Sequence, residues 1–175
     1  GAYWDAEIKR AQIDGHPGYP VFTRKQNTDV SYLACARRLF GHADVLYPMF
    51  ATHNAHTIAA IHRRALLLGR AGRFEFQKLH GMGDDLYAEV IPEDRLDVPC
   101  RVYAPVGSHE DLLPYLVRRL LENGANSSFV NRITDEDVPV ADLIQDPVTT
   151  VAGFDSIPHP RIPLPRDLYT QQGFD

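Results

Sequence analysis

The chain of 175 residues carries a formal net charge of -5 at pH 7 and a hydrophobic content of 44%, enough apolar side chain for one sizeable core and too acidic for general nucleic-acid binding, which needs a concentrated basic surface. No apolar run approaches the roughly 20 residues of a membrane span, and no secretory signal pattern is present. The two cysteines, Cys35 and Cys100, stand in apolar surroundings without CxxC or His-Cys spacing and read as buried thiols of a reducing, cytoplasmic compartment.

The opening Gly1-Ala2-Tyr3-Trp4, with no initial methionine, reads as a strand end at the cut edge of a fragment. Asp5–Lys25 reads as irregular, because Gly15, Pro17, Gly18 and Pro20 interrupt it. Thr28–Phe40 is a predicted helix capped by Thr28 or Asp29, with Val30, Leu33, Ala34 and Arg37 along one face. Val45–Ala51 has the length of a strand, although Pro48 removes a ladder donor. It ends at Thr52-His53-Asn54, and Asn54 suits the cap of a helix over Ala55–Leu68 that stops near Gly69 and Gly72. Phe74–Leu79 is the next strand, closed by a flexible His80-Gly81-Met82-Gly83 turn. Asp84–Val90 follows as a short helix, Pro92–Pro99 as a polar loop and Cys100–Pro105 as a further strand. Val106-Gly107-Ser108 joins that strand to a helix over His109–Asn123.

In this last helix Leu113, Leu116, Val117, Leu120 and Leu121 recur at helical spacing, the stripe of a helix packed on a core. Tyr115, Arg118, Arg119 and Glu122 share the opposite side. Two adjacent guanidiniums suit bidentate capture of a carboxylate or phosphate. The same spacing describes a solvated outer face, and periodicity alone does not choose between them. After Phe129 the chain is rich in Pro, Asp and Thr, and His159–Tyr169 reads as an extended segment or linker.

Alternating strands and helices are the pattern of parallel βα units in an α/β fold. Such units close into an eight-stranded barrel or stay open as a doubly wound sheet. No GxGxxG or GxxxxGK[ST] loop follows a strand, so the count favours about half of a barrel. Either architecture binds ligands at the carboxyl ends of its strands. Those ends carry Tyr3-Trp4, Thr52-His53-Asn54, Gln77-Lys78-Leu79 and Tyr103. Here His53 is either a helix-start residue or a donor to a cofactor, and Tyr3, Leu79 and Tyr103 are either core or a cofactor wall. A metal reading of His53, His56, His80 and His109 lacks an HExxH pattern or a neighbouring carboxylate cluster, so no metal is expected.

Five strings carry a family resemblance: GAYWDAEIKRAQ at Gly1–Gln12, YPMFATHNAHT at Tyr47–Thr57, FQKLHGMG at Phe76–Gly83, CRVYAPVG at Cys100–Gly107 and YLVRRLLENGANSSFVNR at Tyr115–Arg132. In this order they resemble the proline dehydrogenase domain of the bacterial bifunctional proline utilisation (PutA) family. The resemblance implies a distorted (βα)8, TIM-like barrel that binds FAD, oxidises L-proline to Δ1-pyrroline-5-carboxylate and passes electrons to a membrane quinone. Residues 1–132 would form the C-terminal part of the barrel, whose N-terminal half is missing. Residues 133–175 would be an extended tail leading towards an aldehyde dehydrogenase domain that oxidises pyrroline-5-carboxylate.

By the same resemblance, Arg118 and Arg119 bind the proline carboxylate, and Tyr115, Tyr103, Leu79 and Tyr3 enclose its ring. The flavin falls to Gly1, Ala2, Trp4, Thr23, Arg24, Thr52, His53, Asn54, Gln77 and Glu122. The parent protein would be cytoplasmic and peripherally membrane-associated when active, with homo-oligomerisation left open and no nucleic acid contacted by this segment. Two alternatives from the residues themselves are a flavin-free (βα)8 enzyme with an Arg-Arg anion clamp and a non-enzymatic module whose Arg-Arg helix docks an acidic partner.

Overall fold

A computed structural model of the chain describes residues 3–124, 129, 132, 135 and 137–168. Its centre is a parallel sheet of three strands, β1 (Met49–Ala51), β2 (Glu75–Leu79) and β3 (Cys100–Tyr103), hydrogen-bonded in that order. In register, Ala51 lies beside Gln77 and Gln77 beside Arg101, while Leu79 lies beside Tyr103. Helices fill the crossovers: α3 (Ala55–Leu67) between β1 and β2, the short α4 (Asp84–Ala88) between β2 and β3, and α5 (His109–Gly124) after β3. Two further helices, α1 (Trp4–Ile13) and α2 (Lys25–Phe40), precede β1.

Side chains alternate along each strand, so the sheet has two distinct faces. One face sends Phe50 and Phe76 towards α2 and α3. There they meet Phe40 and Phe74 with ring centroids 5.3 to 6.0 Å apart, and Ala36, Ile58, Ile61 and Ala65 complete the core. The other face carries Met49, Ala51, Glu75, Gln77, Leu79, Arg101 and Tyr103. This face is more open: Met49 is 53% and Tyr103 42% exposed.

Local signals account for the helix starts. The Asn54 side chain caps α3 by accepting from the backbone N–H groups of His56 and Thr57 at 2.9 and 3.4 Å, as its position in the sequence predicts. Ahead of α5, the Ser108 hydroxyl accepts from the Asp111 N–H and the Asp111 carboxylate accepts from the Ser108 N–H, both at 3.3 Å. This reciprocal pair satisfies two donors that a helix start otherwise strands.

Several expectations change. The stretch predicted to be irregular opens with α1, because every one of its glycines and prolines lies after Asp14 and ten residues without a breaker suffice. Strand β1 is shorter than predicted and starts after Pro48, whose carbonyl accepts from the Glu75 N–H at 3.2 Å. Helix α2 begins at Lys25, ahead of the expected cap, and its buried residues are Asn27, Ala36 and Phe40 rather than the predicted face. Cys35, one position from Ala36, is therefore exposed, and Cys100 is only partly buried.

The tail is not simply extended. It forms α6 (Val140–Leu143), α7 (Pro147–Ala152) and a 3-10 turn at Pro165–Asp167. The Asn27 amide donates to the Ile157 carbonyl at 2.9 Å and the Tyr19 hydroxyl to the Pro163 carbonyl at 2.8 Å. Pro147 and Pro165 are buried. Polar side chains of α2 and of the loop before it hold this segment, and an apolar period does not register such bonds.

The largest departure is α5. Its five-residue apolar stripe is 44% to 72% exposed, while Tyr115, Arg118, Arg119 and Glu122 on the opposite side are partly buried. Periodicity marks two faces, but it cannot say which one this part of the molecule covers.

Candidate functional site

At the carboxyl ends of the strands, under the C-terminal half of α5, lies a cleft of about 1240 Å³ whose wall includes Tyr3, His53, Leu79, Tyr103, Arg119 and Glu122. Its most ordered part is the turn Thr52-His53-Asn54 between β1 and α3. In each of the three side chains the acceptor atom is occupied by a backbone N–H. Thr52 Oγ1 accepts from the Asn54 N–H at 3.1 Å, His53 Nε2 accepts from the Leu79 N–H at 3.2 Å, and Asn54 Oδ1 carries the α3 cap. What remains is a hydroxyl hydrogen, an imidazole Nδ1–H and an amide NH₂, three donors that take no acceptor among the described residues.

The His53 tautomer follows directly, since a ring nitrogen that accepts a hydrogen bond is unprotonated. Burial holds the imidazole pKa below its ordinary 6.5, with Lys78 and Arg119 adding to the fall and Glu122 opposing it. Both effects keep His53 neutral. Gly83 completes the support: its φ is +67°, and a Cβ there would lie 3.2 Å from His53 Cδ2. The ring of His53 also lies edge-on to the buried Tyr87, with centroids 6.5 Å apart.

Gln77 on the sheet face has the opposite polarity. Its amide nitrogen donates to Glu75 Oε1 and faces Met49 Sδ, both at 3.3 Å, which leaves its carbonyl oxygen as an acceptor. Glu75 is itself held by Arg101 in a two-contact pair at 2.7 and 3.0 Å. That pairing lowers the Glu75 pKa, assisted by Gln77 against the effect of burial.

Helix α5 puts one cation, Arg119, on the cleft wall, while the predicted Arg118 and Tyr115 stand off it. Arg119 pairs with Glu122 at 3.2 Å, lies over the Tyr115 ring at 5.0 Å and keeps a buried Nε without a partner. Arg118 lies 5.5 Å over the ring of Tyr3, with no carboxylate against it among the described residues. Asn123 Oδ1 is a second buried polar atom left unpaired. Buried polar atoms without partners are uncommon in folded proteins, and here two of them sit on residues that wall the cleft.

The other predicted residues divide. Trp4 reaches the cleft wall, but its indole N–H donates to the Phe22 carbonyl at 2.8 Å. The Thr23 hydroxyl accepts from the His159 N–H at 2.8 Å, and Arg24 stacks 4.0 Å over Phe154. All four are wall residues, two of them from the tail. Gly1 and Ala2 lie outside the described residues. Sequence reasoning missed Tyr32, Met82, Phe154 and His159 as wall residues. None belongs to a periodic pattern pointing at a strand end, and two sit in the segment read as a linker.

Comparison with known proteins follows from this geometry. The family model "Proline dehydrogenase" matches residues 1–132. The bifunctional protein PutA of Escherichia coli (strain K12) is 60% identical over 178 residues, covering 97% of this chain and 14% of that protein. The bifunctional protein PutA of Rhizobium meliloti is 55% identical over 186 residues, covering 100% of this chain and 15% of that protein. Among solved structures, a variant of Bradyrhizobium japonicum proline utilization A superposes with a TM-score of 0.89 at 55% identity, over 97% of this chain and 17% of that one. The chain thus spans 14% to 15% of the length of these two curated relatives.

Proposed function

This chain belongs to the proline dehydrogenase family, and from that premise we propose that it works as part of an FAD-dependent enzyme that oxidises L-proline to Δ1-pyrroline-5-carboxylate. Its parallel βα units are those of the TIM-like barrel of that family. The observation that carries the reading is a polar set in and beside the cleft: three side chains held as donors at the end of β1 and Arg119 with its unpaired Nε on the wall, with Gln77 as an acceptor on the adjoining sheet face and Arg118 next to Arg119 on α5.

That set fits a flavin, whose ring presents several acceptors and one N–H. Thr52, His53 and Asn54 would hold the acceptor side and Gln77 the N–H, with Trp4, Thr23, Arg24 and Glu122 along the remainder of the cleft and Gly1 and Ala2 at the chain start. When bound, FAD supplies the two-electron acceptor for hydride from the carbon beside the proline nitrogen.

The chain's own side chains bind and orient the substrate. Arg118 and Arg119 take the proline carboxylate as a planar fork, and Tyr3, Leu79, Tyr103 and Tyr115 close over the apolar ring and exclude water. His53 keeps its proton at Nδ1 and presents it to the cleft. Neutral imidazole is the form that both donates there and accepts from Leu79.

The parent protein, on this reading, is a bifunctional PutA-type enzyme. Its 133–175 region leads to an aldehyde dehydrogenase domain, and its electrons reach a membrane quinone from a cytoplasmic, peripherally bound position. Among the described residues no helix is long and apolar enough to cross a membrane.

The test is the visible spectrum of the full-length parent before and after anaerobic L-proline. A flavin band that bleaches is the expected result. A band indifferent to proline would reopen the substrate, and a colourless protein would overturn the flavin reading in favour of an anion clamp built on Arg118 and Arg119.

A further inference from the structure

The hydrogen-bond ladder between β1 and β2 breaks its own rule at the cleft. In the parallel pattern, Glu75 N–H donates to Pro48 O at 3.2 Å and Thr52 N–H to Gln77 O at 3.3 Å. The next rung would run from Leu79 N–H to Thr52 O. Leu79 N–H instead donates to His53 Nε2 at 3.2 Å. The Thr52 carbonyl is taken by a side chain from outside the sheet, the Tyr87 hydroxyl, at 2.8 Å, and the same hydroxyl lies 3.1 Å from Gln77 O. No other donor reaches Thr52 O among the described residues. Tyr87 is 1% exposed and does not line the cleft.

We propose that Tyr87 is a positioning residue for the cofactor turn: by replacing Leu79 at the Thr52 carbonyl, its hydroxyl frees the Leu79 N–H to hold His53 as an Nδ1–H donor. A buried tyrosine often needs only some acceptor for its hydroxyl. This one has a single hydrogen, and its shorter contact is with the Thr52 carbonyl, which has no other donor among the described residues, whereas the Gln77 carbonyl already accepts from the Thr52 N–H. The proposal rests on the flavin-site reading above.

Without the hydroxyl, the Leu79 N–H returns to the unpaired Thr52 carbonyl, since a buried orphan acceptor costs more than a surrendered side-chain contact. His53 Nε2 then loses the bond that favours its neutral form and becomes easier to protonate. The test is Tyr87→Phe in the full-length protein with histidines isotopically labelled, the His53 resonance being assigned by its loss in His53→Ala. The expected results are a His53 titration moved to higher pH, an FAD dissociation constant raised roughly tenfold and an unchanged KM for proline.

Tyr87→Phe and His53→Ala should also combine non-additively on FAD affinity, because one acts through the other. An unmoved titration, additive effects or a Tyr87→Phe protein that does not fold would each overturn the proposal. A wild-type protein that carries no flavin, with the His53 titration still moved in Tyr87→Phe, would instead overturn the flavin reading and leave the positioning role standing.

Discussion

The two arginines of α5 differ in their surroundings, and that difference predicts how each responds to substitution. Among the described residues Arg118 meets the face of Tyr3, whereas Arg119 already shares its charge with Glu122 at 3.2 Å. A carboxylate entering the cleft would find Arg119 on the wall with an unsatisfied Nε, and Arg118 one position away on α5 with no competing carboxylate among the described residues. Arg118→Met and Arg119→Met are each expected to raise the KM for proline by roughly 10²-fold, the loss of a charge-assisted bond of about 3 kcal/mol, while flavin stays bound. Steady-state kinetics beside the flavin absorbance checks both halves, and wild-type KM in both variants would sink the carboxylate assignment. The adjacent RR was legible in the sequence. So were Glu122 and Tyr115 beside Arg119, at helical spacing; the Arg118–Tyr3 contact was not, because Tyr3 is more than a hundred residues away in the chain.

At the scale of elements, the turn from β2 into α4 shapes His53. Gly83 adopts φ +67° and its missing Cβ leaves room for the His53 ring, which a methyl group would meet at 3.2 Å, with Tyr87 Cδ2 at 3.7 Å. Gly83→Ala adds left-handed strain of about 1–2 kcal/mol and pushes the imidazole from its seat. Urea denaturation should show that loss of stability, and FAD affinity should fall in the same variant. Lower stability with unchanged affinity would separate the turn from the site. The glycine-rich HGMG string announces a turn, but nothing local says that its last glycine faces a histidine from another strand. Asn54 is the contrasting case: a cap acts within three residues of itself, and it was readable.

For the whole molecule, the two faces of the sheet have different fates. The helix-facing side closes over Phe40, Phe50, Phe74 and Phe76, each at most 3% exposed. The opposite side leaves Met49 and Tyr103 open, and the α5 stripe is uncovered as well. Exposed apolar area of this kind, together with the open edges of a three-stranded sheet, favours association over a stable monomer. The isolated 175 residues are therefore expected to unfold without a single sharp urea transition and to hold no flavin, whereas, on the proposed reading, the full-length parent should unfold cooperatively and hold flavin. A cooperative, soluble monomer from the isolated chain would refute this.

The sequence by itself determined the three strands and the helices that follow them, though not α1, where it read a strand end at Trp4 and an irregular stretch after it; it also determined the Asn54 cap, the two-faced character of α5 and the strings that place the chain in the proline dehydrogenase family. These are local properties, written in periods, breakers and contiguous motifs. Only the tertiary structure decided which face of α5 is covered, that Cys35 faces outward, that the tail packs on the first helices and walls the site, and that the Tyr87 hydroxyl takes the Thr52 carbonyl while the Leu79 N–H goes to His53. Each of these depends on groups far apart in the chain meeting through single hydrogen bonds or buried contacts. Such meetings leave no periodic trace in the residues that make them.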